Sequence, residues 1–373
     1  MIKRKIKTGS DFSGVGAFDQ ALNRLKIKQD KKFACDMDKF ARISYIANYG
    51  EPDYFPENVY DREIPKDPLD IYMTSPPCQA FSIAGKRGGE NDKRGILFYN
   101  SHEFIRINGP RYFIFENVTG LLSHDNGRTF GKWVELLGGK SVNGTPVFFP
   151  HEESVPYHIY YFQMNAKEHG VPQNRPRVFV VGIRDDSDND FRFPKPEQLV
   201  KKLRDCVEEK VDKKYFLSQK AIDGYLHHKK KHDSLGNGFG FSPKKLSDDY
   251  VNSITTNSGS RSTDNFLLIK SNTKKGYEKL TENDSLNLSV PESKTRRGRV
   301  GKEIAQTLDT SCNQGVMVDG SKIGKFTPRE CFRFMDFPDG YKIVVSDRQA
   351  YKQAGNSIPV RCLVKIIERL NLK

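Results

Sequence analysis

Short apolar runs alternate with helix-patterned segments through the first half of the chain, and this limits the fold more than any other feature. Residues 33–35, 71–73, 112–115 and 177–183 have the length and composition of strands, while residues 17–25 and 40–49 carry apolar side chains at helical spacing. Strands separated by helices pair in parallel and are covered on both faces, so the pattern predicts an α/β fold with a parallel sheet and helices on either side. In such sheets ligands lie outside the carboxyl ends of the strands, and residues just after each strand therefore carry the most information.

The chain has 373 residues and a formal net charge of +14, which points to a polyanionic partner, most simply nucleic acid. No long apolar stretch suggests a membrane span. The six cysteines (35, 78, 206, 312, 331 and 362) include no Cys-x-x-Cys pair, arguing against a zinc module or a disulfide framework and for a reducing cytoplasm. Met1-Ile2-Lys3-Arg4-Lys5 lacks the apolar core of a signal peptide. A cytoplasmic, monomeric protein without a metal is the expectation.

Composition shifts after Phe191-Arg192-Phe193-Pro194-Lys195-Pro196. From there to about residue 325 the chain is rich in Lys, Ser, Asn, Asp and Gly, with few helical patterns. Apolar runs at 266–269 and 316–318 argue against a disordered linker and for a second, loop-rich domain. The expected division is a main domain of residues 1–192 and 345–373, a second domain of 193–325, and a hinge and return segment of 326–344.

Several blocks carry chemistry. In Met73-Thr74-Ser75-Pro76-Pro77-Cys78-Gln79 a cysteine follows two prolines at the end of an apolar run. A stiff turn there presents the thiol at the sheet's edge as a nucleophile, or else the thiol is buried beside a turn. Asp11-Phe12-Ser13-Gly14-Val15-Gly16 reads as a strand-to-helix turn whose glycines admit a ligand. Asp36 and Asp38 follow the second run and suit either ribose hydroxyls or a helix N-cap. Glu116 ends the 112–115 run as a general acid or a turn residue. In Gln173-Asn174-Arg175-Pro176-Arg177 the alternation predicts two guanidiniums on one face, clamping an anion or a carboxylate, or serving as surface ion-pair partners.

Taken together, these blocks resemble the bacterial cytosine-C5 DNA methyltransferase family. Asp11–Gly16, Pro76-Pro77-Cys78-Gln79-Ala80-Phe81-Ser82, Glu116-Asn117-Val118, Gln173–Arg177, Thr327-Pro328-Arg329-Glu330-Cys331 and Gln353-Ala354-Gly355-Asn356-Ser357 occur in the family's order. The resemblance runs from about residue 8 to the end and is loose only over about 200–293. It implies a Rossmann-like class I fold that uses S-adenosylmethionine, and methyl transfer to C5 of a flipped-out cytosine in a specific sequence of double-stranded DNA. It also implies the modification role of a restriction-modification system, with a restriction endonuclease as possible partner.

By the same resemblance Cys78 is the nucleophile, Glu116 bonds the cytosine ring, and Arg177 stands beside the base with Arg175 in support. Phe12, Ser13, Gly14, Gly16, Asp36, Met37 and Asn58 are expected to hold S-adenosylmethionine, together with Pro77, Leu97, Asn356 and Ser357. Two positions depart from the family pattern: Met37 stands where many relatives have an aromatic residue, and the position near Asn58 is often acidic. Residues 79–94 resemble the family's mobile loop over the flipped base, with Gln79, Ser82, Ala84, Lys86, Arg87 and Arg94 facing DNA. Asn257, Ser258, Arg297 and Thr310 are the DNA-reading candidates of the second domain. The separation of 150 positions from Arg177 to Thr327 leaves ample room for a DNA-reading domain.

Overall fold

A computed structural model gives the fold for residues 4–77, 97–187, 189–208, 211–234, 241–245, 247–256, 261, 264–268, 284–287, 300–301, 314–317 and 323–372. Cys78, Gln79, Ser82, Ala84, Lys86, Arg87, Arg94, Asn257, Ser258, Arg297 and Thr310 lie outside these described residues.

The first half runs β1 (Ile6–Asp11), α1 (Ala17–Arg24), β2 (Gln29–Cys35), α2 (Lys39–Tyr49), β3 (Ile71–Thr74), α3 (Leu97–Asn108), β4 (Tyr112–Val118), α4 (Gly120–Ser123) and α5 (Arg128–Leu137). It continues through β5 (Ser141–Val142), β6 (Thr145–Pro146), β7 (Tyr157–Asn165), β8 (Gln173–Asn174) and β9 (Pro176–Arg184). Eight of these strands form one sheet in the order β2-β1-β3-β4-β9-β7-β5-β6.

Strand alternation divides the core between the two faces. Ile71, Met73, Ile114, Phe179 and Val181 pack on one side with α1. The interleaved Tyr72, Phe113, Phe115, Val178 and Val180 pack on the other with α3 and α5, where Phe98 stacks on Trp133 at 4.0 Å between centroids. Apolar residues at consecutive positions are what a strand buried on both faces demands.

The sheet is mixed rather than wholly parallel. β1, β2, β3 and β4 are parallel, but β9 runs antiparallel to both β4 and β7. Only ten residues separate Asn165 from Pro176, too few for a crossover helix, so β7 and β9 return as a hairpin.

Beyond residue 193 the chain holds a helix that the sequence pattern did not show, α6 (Gln219–Ser234). Its run His227-His228-Lys229-Lys230-Lys231 leaves no continuous apolar stripe, which is the signal by which amphipathic helices are read. Short strands follow: β10 (Lys244–Lys245), β11 (Val251–Asn252) and β12 (Phe266–Leu268). β11 pairs with β8, so this part of the chain is anchored to the segment that precedes β9.

The chain ends in α7 (Pro328–Arg333), α8 (Asp347–Asn356) and α9 (Val360–Ile367). Thr327 and Glu330 form a capping box at the start of α7, with proline in the first turn. Phe332, Phe334, Leu363 and Ile366 then fill the same core side as α1.

Candidate active site

The four parallel strands end in line. Asp11 pairs with both Cys35 and Thr74, and Thr74 pairs with Phe115. Residues 12–16, 36–38 and 75–77 therefore leave the sheet along one edge, where β4 runs on through residues 116–118. The antiparallel β9 begins at that edge, with Arg177 opposite Val118.

Glu116 is the best-defined group there, 5% exposed at the end of β4. The Ser75 hydroxyl donates to its Oε2 at 2.6 Å, and Arg177 Nε lies 3.1 Å from its Oε1. Arg177 Nη1 also donates to the Pro176 carbonyl at 2.8 Å. A carboxyl gripped at both oxygens has a fixed direction. Asn117 Nδ2 reaches the Pro76 carbonyl at 3.4 Å and ties the Pro-Pro turn to β4. Glu116 is thus a buried carboxyl rather than a solvated turn residue.

Arg175 takes a different path, and the expectation of two guanidiniums on one face is corrected. β8 stops at Asn174 and β9 starts at Pro176, so the strand alternation is broken at Arg175 itself. Its Nη1 donates to the Ile254 carbonyl at 3.0 Å, and its Nη2 to the carbonyls of Gly355 and Ser357 at 2.7 and 2.8 Å.

The turn after β1 is bent by three left-handed residues, Phe12 (φ 55°), Gly14 (φ 55°) and Gly16 (φ 77°). The two glycines differ in purpose. A Cβ on Gly14 would meet nothing nearer than the Phe12 carbonyl at 3.9 Å, leaving open space above the turn. A Cβ on Gly16 would sit 2.2 Å from the Tyr49 ring, so packing of α2 requires glycine there. Ser13 donates through both its N–H (2.9 Å) and its hydroxyl (3.2 Å) to the Cys35 carbonyl.

The roles of the two aspartates separate. Asp38 is the N-cap of α2, accepting from Phe40 and Ala41 N–H groups at 2.9 and 3.2 Å. Asp36 joins the two loops, accepting from Gly14 N at 2.7 Å and Asp38 N at 2.8 Å. Burial pushes the Asp36 carboxyl above the ordinary aspartate range despite those donors. Beside it Met37 is 81% exposed, and Asn58, also exposed, accepts from Tyr60 N at 3.1 Å. Pro77 and Leu97 are half-buried, Leu97 against the α3–α5 side of the core.

The last block returns to this edge through α8. Lys352 pairs with the Asp38 carboxylate, while Gln353 donates to the Phe40 carbonyl at 2.8 Å and accepts from the Ser44 hydroxyl at 3.0 Å. Asn356 is exposed there and Ser357 buried. Two supporting contacts were not foreseen from the sequence. Ser75 was visible only as part of the Pro-Pro-Cys block. Arg62 lies in a loop with no pattern, yet its Nε bonds the buried Asp11 at 2.9 Å, and Tyr72 donates to the same carboxylate at 2.6 Å.

Cys35, Cys206, Cys331 and Cys362 are all buried. Burial pushes the thiols of Cys35 and Cys362 up to about 12 and that of Cys206 to about 11, the reverse of what a nucleophile needs. Among the described residues no cluster of His, Cys, Asp and Glu could hold a metal ion, and no helix is long and apolar enough to cross a membrane.

A sequence model of the C-5 cytosine-specific DNA methylase family matches residues 6–371. The chain belongs to this family. It is 35% identical to the Type II methyltransferase M.HpaII of Haemophilus parainfluenzae over 367 residues, covering 96% of this chain and 88% of that protein. It is 32% identical to M.SsoII of Shigella sonnei, covering 96% and 78%. The cytosine-5 DNA methyltransferase also shares its fold with the Dnmt2 methyltransferase of S. pombe, at TM-score 0.63 and 16% identity over 98% of this chain and 97% of the other. A Spodoptera frugiperda DNMT2 mutant aligns at TM-score 0.65 and 18% identity, over 98% and 99%. Membership in the family implies S-adenosylmethionine as methyl donor, and the sheet edge suits it. Gly14 leaves open space beside the Asp36 carboxylate, and Met37, next to Asp36 in the chain, is exposed.

Proposed function

We propose that this methyltransferase modifies C5 of a cytosine swung out of double-stranded DNA, through a covalent bond from the Cys78 sulfur to C6. The observation that carries the reading is the grip of Ser75 and Arg177 on Glu116, with Ser75 three positions ahead of Cys78 in the chain. The high pKa of the buried thiols 35, 206 and 362 favours Cys78 as the reactive one.

The chemistry explains why these groups are needed. Cytosine C5 is a poor nucleophile on its own. Addition of the Cys78 thiolate to C6 moves an electron pair toward N3, where Glu116 provides the proton or hydrogen bond that accepts it. C5 becomes the nucleophilic carbon of an enamine and takes the methyl group. Loss of the C5 proton to a base, with water a candidate, then expels Cys78 and restores the aromatic ring. Arg177 holds Glu116 in place and lies beside the ring.

Bound S-adenosylmethionine supplies an electrophilic sulfonium methyl. Asp36 would hold its ribose, with Phe12 and Met37 against the adenine. Ser13, Gly14, Gly16, Asn58, Pro77, Leu97, Asn356 and Ser357 would complete the site. The domain division stands as part of the reading: residues 1–192 and 345–373 catalyse, 193–325 select the target, and 326–344 return the chain. Gln79, Ser82, Ala84, Lys86, Arg87 and Arg94 would face the flipped nucleotide and its phosphates, and Asn257, Ser258, Arg297 and Thr310 the recognised sequence. The reading includes a monomeric enzyme and a modification role beside a restriction endonuclease of the same specificity; the relatives named Type II methyltransferases favour the modification role.

Bisulfite sequencing of plasmid DNA from expressing cells will show methylated cytosines in one short sequence. Cys78→Ser will abolish them while S-adenosylhomocysteine still binds. Duplex DNA with 5-fluorocytosine at that position will trap an adduct whose mass maps to Cys78. Full activity of the serine variant defeats the covalent route.

A further inference from the structure

Three carbonyls that accept from the Arg175 side chain belong to two segments assigned different tasks. Ile254 lies in the part of the chain read as target-selecting, whereas Gly355 and Ser357 lie in the block read as closing on the cofactor. Arg175 is 3% exposed, and its guanidinium donates to carbonyls of both.

Further contacts tighten the same joint. Gln173, fully buried, accepts from Ile254 N at 2.9 Å and donates to the Phe334 carbonyl. The Ser253 hydroxyl donates to the Asn174 carbonyl at 2.9 Å. A Cβ on Gly355 would lie 2.5 Å from the Thr255 carbonyl carbon and the Thr256 nitrogen, so the two backbones meet with no side chain between them. On its other side α8 grips the loop after β2 through Lys352 and Gln353. Residues 253–256 thus cannot shift without moving 355–357, nor can these shift without disturbing residues 36–40.

We infer that Arg175 is a positioning residue that couples target-DNA binding to cofactor binding, by locking residues 253–256 onto Gly355 and Ser357. The inference rests on the assignment of these segments in the proposed function. A buried guanidinium on three carbonyls is a rigid connector, because each bond is charge-assisted and its loss leaves a buried acceptor unmet. Coupling of this kind is reciprocal, so the duplex must tighten the cofactor by the factor that the cofactor tightens the duplex.

The test is calorimetric titration of S-adenosylhomocysteine into the full-length enzyme, with and without a duplex carrying the sequence found by bisulfite analysis. The wild type will bind more tightly with the duplex. Arg175→Lys, which keeps the charge but not the three-way reach, will cut that gain about tenfold, the loss of one charge-assisted hydrogen bond. Gly355→Ala, which wedges the two backbones apart, will do the same and decides the matter if the arginine variant fails to fold. Arg177→Lys will lower kcat and keep the gain. A gain absent from the wild type, or preserved in both joint variants, overturns the inference. Wild-type enzyme that binds no S-adenosylhomocysteine at all refutes instead the function on which it rests.

Discussion

The Ser75 hydroxyl donates to Glu116 Oε2 at 2.6 Å, joining the turn that leads to Cys78 with the carboxyl at the end of β4. The hydroxyl and Arg177 occupy opposite oxygens, so neither can replace the other. Ser75→Ala frees one oxygen and lets the carboxyl rotate. The expected result is a fall in kcat of about tenfold, the worth of one hydrogen bond to a charged group. S-adenosylhomocysteine affinity is expected to stay unchanged. Single-turnover methyl transfer separates the two quantities.

Asp11 and Arg62 form an ion pair whose side chains are almost wholly buried. Removing one partner leaves a charge without compensation, at a cost of about 3–5 kcal/mol. Arg62→Met is therefore expected to lower the urea midpoint sharply. Combining it with Asp11→Asn should recover part of the loss, and a double variant no better than the single one would contradict the pairing account.

Met37 offers a gain of function. It is exposed next to Asp36, at the position where the family resemblance leads to the expectation of an aromatic side chain. Met37→Trp would add stacking worth about 0.5–1.5 kcal/mol, tightening S-adenosylhomocysteine several-fold. The chain's single natural tryptophan, Trp133, is buried against Phe98, so a new emission quenched by ligand would report on residue 37.

Glu330 ties stability to pH. Burial pushes its carboxyl up to about 7 from 4.5, against two backbone N–H donors from Glu208 and Thr327. Between those two values the folded chain keeps a proton that the unfolded chain has lost. Its contribution is thus complete below about pH 4.5 and disappears as pH rises through about 7. Glu330→Gln is expected to flatten the decline of the melting temperature over that window, as read by scanning calorimetry at several pH values.

Much of the fold was legible because consecutive apolar residues at 71–73 and 112–115 have few alternatives to a strand covered on both faces. Glu116 and the turn at residues 12–16 were legible as candidates because they follow such strands. The direction of β9 was not, since hairpin and crossover differ in connection length rather than in the strand's own residues. Arg175 and Arg177 look equivalent in sequence. A one-residue break between β8 and β9 sends their guanidiniums to different partners. Ser75 and Arg62 gain their meaning only from residues 41 and 51 positions away, a separation that no local pattern encodes.

The contacts of Lys352 and Gln353 with Asp38 and Phe40 span more than three hundred residues of chain. A nascent polypeptide therefore presents the loop after β2 some three hundred residues before α8 can close on it. Until then the core side shared by α1, α7 and α9 is also open. Assembly of this sheet edge is a late event in folding, and a chain interrupted before residue 352 lacks the contacts that α8 makes with it.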